Sequence, residues 1–199
     1  EGLRRAVMAC ELRSADGAGV LAAARALGTP LPGRVPGIDL FAALIEVAAR
    51  RRVPVFLLGA RPEVVRCAAT RLEHRTPGLR VAGIHHGYFG DAAGAVADRV
   101  RASGAAMLFV AMDTPRKEHF VADHTGRCGV GFAMGVGGAL DVLAGRTRRA
   151  PEVLQRVGLE WAYRAAQEPR RLGPRYAVTN TALVVKLARQ TDAAAGLAA

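Results

Sequence analysis

The run Met112-Asp113-Thr114-Pro115-Arg116-Lys117-Glu118 follows the apolar stretch 106–111 and precedes a helical one. A strand broken in this way delivers acids and cations to one edge of a parallel sheet, where open α/β folds bind ligands. Loops of similar make-up are Asp16-Gly17-Ala18-Gly19, Gly59-Ala60-Arg61-Pro62 and Gly135-Val136-Gly137-Gly138. Their glycines let a ligand approach the backbone, and a helix N-terminus favours negative charge. Together the four loops predict a site for an anionic, phosphate-bearing molecule. Asp16 could act there as a general base that takes a proton from an attacking hydroxyl; it could equally be an ordinary N-cap. Arg34, in Arg34-Val-Pro-Gly-Ile-Asp39, suits paired hydrogen bonds to a diphosphate, or is a solvated surface arginine. Asp39 reads most simply as a cap.

Other motifs are weaker. Gly135-Val-Gly137-Gly138-Ala-Leu-Asp141 loosely matches a dinucleotide fingerprint, but that fingerprint belongs in the first strand-to-helix turn with an acid further on. A nicotinamide dehydrogenase is therefore disfavoured. His85 and His86 are adjacent in an extended segment, so their rings are expected on opposite faces, a poor chelate, and no metal site is expected. Tyr88, just past Gly87, could lay its ring on a flat base. Arg146, Arg148, Arg149, Arg164, Arg170, Arg171 and Arg175 have few acids at helical spacing to pair with. They are either a solvated helix face or a surface for phosphates and lipid headgroups.

The net charge of +11 is unevenly placed. Residues 1–145 hold 18 Lys/Arg against 13 Asp/Glu, whereas 146–199 hold 10 against 4. Such clustering implies an anionic partner. Nucleic acid is disfavoured, because only 5% of residues are aromatic and no zinc-finger spacing or recognition helix is visible. Cys10, Cys67 and Cys128 are odd in number and far apart, which argues against disulfides and structural zinc and for a reducing cytosolic setting. No 18-residue apolar run or signal peptide stands out. Because the first residue is Glu, we expect the numbering to begin inside a longer chain.

Short apolar runs at 53–58, 80–84, 106–112 and 130–134 read as strands. Helical periods fall at 18–27, 38–51, 61–74, 91–102, 116–124 and 139–144. This alternation predicts an α/β fold, a Rossmann-like, mostly parallel sheet flanked by helices. Residues 1–145 are expected to form the core and 146–199 an Arg-rich helical appendage, with helices at 151–167 and about 175–190.

In order along the chain, Ala15–Gly19, Arg34–Asp39, Phe56–Gly59, His86–Phe89, Pro115–Glu118, Gly135–Gly138, Asp141, Arg149–Pro151, Gly158–Trp161, Arg164, Glu168–Arg171 and Arg175–Tyr176 resemble the WecG/TagA/CpsF glycosyltransferases, glycosyltransferase family 26. The likeness spans about residues 3–180. It implies inverting transfer of a sugar from a UDP-linked donor to a hydroxyl, often of a polyprenyl-diphosphate-linked sugar on the route to surface polysaccharide, at the inner face of the cell membrane. By resemblance Asp16 is the general base, and Arg34 with Arg116, Lys117 and Glu118 lines the donor site. Gly17, Gly59, Gly137 and Gly138 lie in the matching ligand loops. Tyr88 and Asp141 lie near the nucleotide, and Arg164, Arg171 and Arg175 close over the diphosphate. The resemblance implies no cofactor and no divalent metal, since arginines would stabilise the leaving group. Two departures stand out: the family's N-terminal strand carrying Thr and Asn is not seen, and Asp113 and Lys117 replace Gly and Gln. The alternatives are a soluble small-molecule acceptor, or a non-catalytic binder of nucleotide or anion.

Overall fold

The computed structural model describes residues 1–170, 172–174, 176–179, 181–182 and 185. Four strands are present among them, β1 (Pro54–Gly59), β2 (Arg80–His85), β3 (Met107–Ala111) and β4 (Phe132–Gly135). The helices are α1 (Gly2–Met8), α2 (Ala18–Ala26), α3 (Gly37–Arg50), α4 (Pro62–Arg75), α5 (Ala93–Ala102), α6 (Arg116–Cys128), α7 (Ala139–Leu143), α8 (Glu152–Arg156) and α9 (Glu160–Gln167). The chain forms two compact units. Glu1–Arg13 and Gly37–Arg146 make the first, and Ser14–Pro36 with the chain from Thr147 onward makes the second.

The first unit is the expected α/β fold, with an all-parallel sheet in the order β2-β1-β3-β4. Val55 to Leu58 of β1 are buried without a break. A parallel strand covered on both faces reads as a continuous apolar run, not an alternating one. Val55, Leu57 and Phe109 pack with Phe41 and Ile45 of α3, with Val64, Val65, Ala68 and Leu72 of α4, and with Leu140 of α7. On the opposite face Phe56, Leu58, Leu108 and Val110 meet Val96 and Val100 of α5 and Phe120 and Cys128 of α6. Each large side chain so buried contributes about 1.5–3 kcal/mol. Between β1 and β2 the register shifts after Val55, whose partner is Val81, so that Phe56 faces Gly83. A Cβ on Gly83 would lie 2.6 Å from the Phe56 ring, so glycine is the residue that fits beneath it.

Helix α6 outlasts the expected 116–124 and stops where Gly129 adopts φ +68, a left-handed cap that glycine tolerates. Arg127 on α6 grips Asp98 on α5 through Nε (2.7 Å) and Nη2 (2.6 Å). Helix α1, for which the sequence held no expectation, buries Ala6 and packs on α6. No strand forms at residues 9–17.

In the second unit α2, α8 and α9 bury no residue completely. The single helix expected at 151–167 is two, separated at Gly158, where φ is +76. A Cβ there would come within 2.6 Å of the Ala18 Cβ, so this elbow packs against the first residue of α2. The helix expected at 175–190 falls largely outside the described residues.

Candidate functional site

In a sheet ordered β2-β1-β3-β4 the connections leave β1 in opposite directions, and ligands gather beyond the carboxyl ends at such a switch point. Four loops leave that edge: 60–61 after β1, 86–92 after β2, 112–115 after β3 and 136–138 after β4. Backbone hydrogen bonds tie them together. Ala60 N–H donates to Ala111 O (2.8 Å), Gly87 N–H to Ala60 O (2.9 Å) and Val136 N–H to Val110 O (2.9 Å). Gly59, with φ +123, is a packing residue: its Cβ would sit 2.2 Å from Ala111 O. Gly137, with φ +51, has open space where a Cβ would stand, and Gly138 is the N-cap of α7. Asp141 lies in the first turn of that helix, half-buried. Tyr88 is 64% exposed at the same edge. The histidine rings are not on opposite faces, as the sequence suggested. Their centroids are 4.5 Å apart, because β2 ends at His85 and His86 leaves the extended run. Among the described residues no three His, Cys, Asp or Glu form a group able to hold a metal ion.

The loop after β3 is internally compensated. The Lys117 ammonium pairs with Glu118 Oε1 and donates to Thr114 Oγ1 (2.5 Å), whose hydroxyl donates to Glu118 (3.0 Å). The lysine stem crosses Gly135 at the end of β4. Arg116 is a clamp rather than an open cation: Nη2 donates to Gly87 O (2.8 Å), and the guanidinium lies 5.7 Å from the Phe89 ring centroid. Burial pushes the Glu118 carboxyl up, but the Lys117 ammonium, its own amide N–H and Thr114 outweigh it, so its pKa lies below the ordinary glutamate value. The sign follows. The pairing contributes fully above the unfolded glutamate value of about 4.3 and is lost as pH falls through the lower folded value. The protection of amides at the start of α6, taken relative to the intrinsic exchange rate at each pH, is therefore expected to be constant from neutral pH down to that range and to fall below it; in Glu118→Gln this acid-dependent step disappears.

That geometry also bears on the choice of donor that the resemblance implies. An unpaired Lys117 could select an acidic sugar, but a neutralised one leaves no spare charge. If the site takes a sugar donor as the resemblance implies, Lys117→Gln is expected to leave the ratio of rates for a uronic acid donor and an N-acetylhexosamine donor within about twofold, because the ammonium is already paired with Glu118. A larger swing toward the neutral donor would show that the ammonium reaches the sugar.

In the second unit Asp16 is not a cap. Gly17 is the N-cap of α2, and no side chain caps it. Asp16 follows no strand, and residues 14–36 group with the chain from Thr147 onward. Its carboxylate is 62% exposed, 3.6 Å from Arg34 Nη2. Arg34 is neither solvated nor open. Nε donates to Asp16 O, Nη1 to Gln155 O (3.2 Å) and Nη2 to Glu160 Oε2 (2.8 Å). Sequence reasoning assigned Glu160 no role; the signal available was a lone acid opening an Arg-bearing helix after a glycine. Arg164 is half-buried on α9, while Arg171 and Arg175 lie outside the described residues. Buried Cys128 is no nucleophile: burial, aided by the charge of Asp98, pushes its thiol up to about 11.

The structure thus brings together Gly59, Tyr88, Arg116, Lys117, Glu118, Gly137, Gly138 and Asp141 around one sheet edge, and Asp16, Gly17 and Arg34 around another cluster in the second unit. The profile of the family described as "Glycosyl transferase WecG/TagA/CpsF family" matches residues 1–195. The chain is similar to an N-acetylglucosaminyldiphosphoundecaprenol N-acetyl-beta-D-mannosaminyltransferase of Staphylococcus aureus (strain MW2), with 38% identity over 159 residues, 80% of this chain and 62% of the relative. A protein of the same name from Bacillus spizizenii (strain ATCC 23059 / NRRL B-14472 / W23) is 36% identical over 156 residues, 78% of this chain and 60% of its own length. The chain therefore spans about three-fifths of the length of these curated relatives. On a profile match running nearly end to end, the chain belongs to the WecG/TagA/CpsF family of glycosyl transferases.

Proposed function

We propose that the protein transfers a sugar, with inversion, from a UDP-linked donor to a hydroxyl of N-acetylglucosamine carried on a polyprenyl diphosphate, in cell-surface polysaccharide synthesis. The observation that carries this reading is 38% identity over 80% of the chain to a transferase whose name specifies that acceptor and an N-acetylmannosaminyl product. The chemistry is a single displacement. The acceptor oxygen attacks the anomeric carbon, Asp16 takes its proton, and the bond to the diphosphate breaks with the electron pair leaving on UDP. The exposed Asp16 carboxylate supports the role of base, because a substrate hydroxyl can approach it. The nucleotide is assigned to the carboxyl edge of the sheet, with Tyr88 offering a face to the base and the turn at Gly137-Gly138 offering backbone N–H groups to the diphosphate. Arg164, Arg171 and Arg175 are the proposed partners of the leaving group.

No helix among the described residues is long and apolar enough to cross a membrane. In this reading the enzyme meets its lipid-linked acceptor as a peripheral protein. The test is a panel of UDP-sugars offered with the lipid-linked acceptor or with soluble N-acetylglucosamine. Transfer from UDP-N-acetylmannosamine to the lipid-linked acceptor is expected, whereas transfer only to the soluble sugar would replace the acceptor in this proposal. Turnover is also expected to survive EDTA, because arginines are assigned the leaving-group charge. Activity lost to chelator and restored by Mg²⁺ or Mn²⁺ would reassign that charge to a metal.

A further inference from the structure

We infer that Glu160 is a positioning residue that sets the Asp16 loop through Arg34; the inference rests on the reading of Asp16 as the base. Arg34 spends three separate donors on the protein, and two of its acceptors are neutral carbonyls, of Asp16 and Gln155. The charged acceptor in close contact is Glu160, at 2.8 Å with 15% of its side chain exposed, against 3.6 Å and 62% for the Asp16 carboxylate. Glu160 therefore takes the guanidinium charge, and Asp16 is held by its backbone while its carboxylate stays open. A guanidinium is a rigid planar fork, so fixing Nη2 on Glu160 also fixes the direction in which Nε meets the Asp16 carbonyl.

Among the described residues few other contacts hold this loop. Helix α2 buries no residue completely, and the other backbone anchor is Val35 N–H to Ala15 O (2.9 Å). Glu160 opens α9 directly after the Gly158 elbow, which itself packs against Ala18. The elbow and the Asp16 loop are thus built around one arginine. Without the Glu160 charge, Nη2 is drawn to the Asp16 carboxylate, which both loosens the loop and occupies the base.

The test is a double-mutant cycle of Glu160→Gln and Arg34→Lys, read in kcat and in donor KM. Glu160→Gln is expected to lower kcat by about tenfold to a hundredfold, the scale of a catalytic group misplaced by about 1 Å. Donor KM should stay within about twofold, and in the Arg34→Lys background the same change should add less than about twofold. Equal losses in both backgrounds, or a loss confined to KM, would overturn the inference. Amide exchange supplies a readout that does not need turnover. In Glu160→Gln the Val35 amide is expected to exchange about tenfold faster, the loss of a charged hydrogen bond's worth of protection, while the Ala60 amide on Ala111 O is unchanged. Unaltered exchange at Val35 would sink the positioning role even in an inactive protein. Faster exchange at Val35 in a protein that transfers no sugar would count against the glycosyl-transfer reading alone.

Discussion

Replacing Asp16 by Asn is expected to lower sugar transfer by about 10²–10⁴-fold, the usual worth of general-base catalysis, while UDP binding stays close to the unmodified value. The amide has nearly the same shape as the carboxylate but cannot accept the proton of the acceptor hydroxyl. The backbone of Asp16, which Arg34 Nε contacts, is untouched by the change, and the side chain lies only within 3.6 Å of that guanidinium. The loss should therefore fall on kcat, not on folding or donor affinity. Steady-state kinetics beside UDP titration calorimetry separate these quantities. Turnover near that of the unmodified protein would remove Asp16 from the mechanism.

A second large effect is structural. Gly59→Ala is expected to destabilise the first unit by about 3–5 kcal/mol, combining left-handed backbone strain with overpacking, out of a typical total of about 5–15 kcal/mol. At φ +123 the new methyl would lie 2.2 Å from Ala111 O and 2.5 Å from its carbonyl carbon. Both are backbone atoms of the neighbouring strand and cannot swing aside. The displaced segment carries the Ala60-to-Ala111 and Gly87-to-Ala60 hydrogen bonds, so the ligand edge would lose its order along with its stability. Gly137→Ala is the control: it too has a left-handed backbone, but nothing stands near its Cβ, so only the conformational cost of about 1–2 kcal/mol applies. Urea unfolding compares them. Equal midpoints for the two variants would show that the contact between Gly59 and Ala111 is not as close as described.

The sheet was legible because its strands are apolar on both faces, and Val55-Phe56-Leu57-Leu58 has no other home than the middle of a parallel sheet. The helices that cover it announced themselves by their apolar period. The 151–167 stretch did not, because its apolar period runs through Gly158, and only the left-handed turn there divides it. The histidine pair was misread because an extended conformation was assumed one residue too far. At the site, the resemblance marked Lys117 as a departure from the family, but not that Glu118 and Thr114 would engage its ammonium. Least visible was the pairing of Arg34 with Glu160. The two are separated by 126 residues, and nothing local in either segment requires the other. Sequence spacing can place a charged residue on a loop; it cannot say which distant charge will neutralise it.

Group transfer by this protein would fix the stoichiometry of one reaction. The full-length gene product is incubated with UDP-N-acetylmannosamine and N-acetylglucosamine-diphosphoundecaprenol, and UDP release and the mass of the lipid are followed together. One UDP is expected for each lipid that gains a single N-acetylhexosamine, linked in the β configuration. UDP released while the lipid is unchanged, or donor bound with no UDP released, would contradict group transfer.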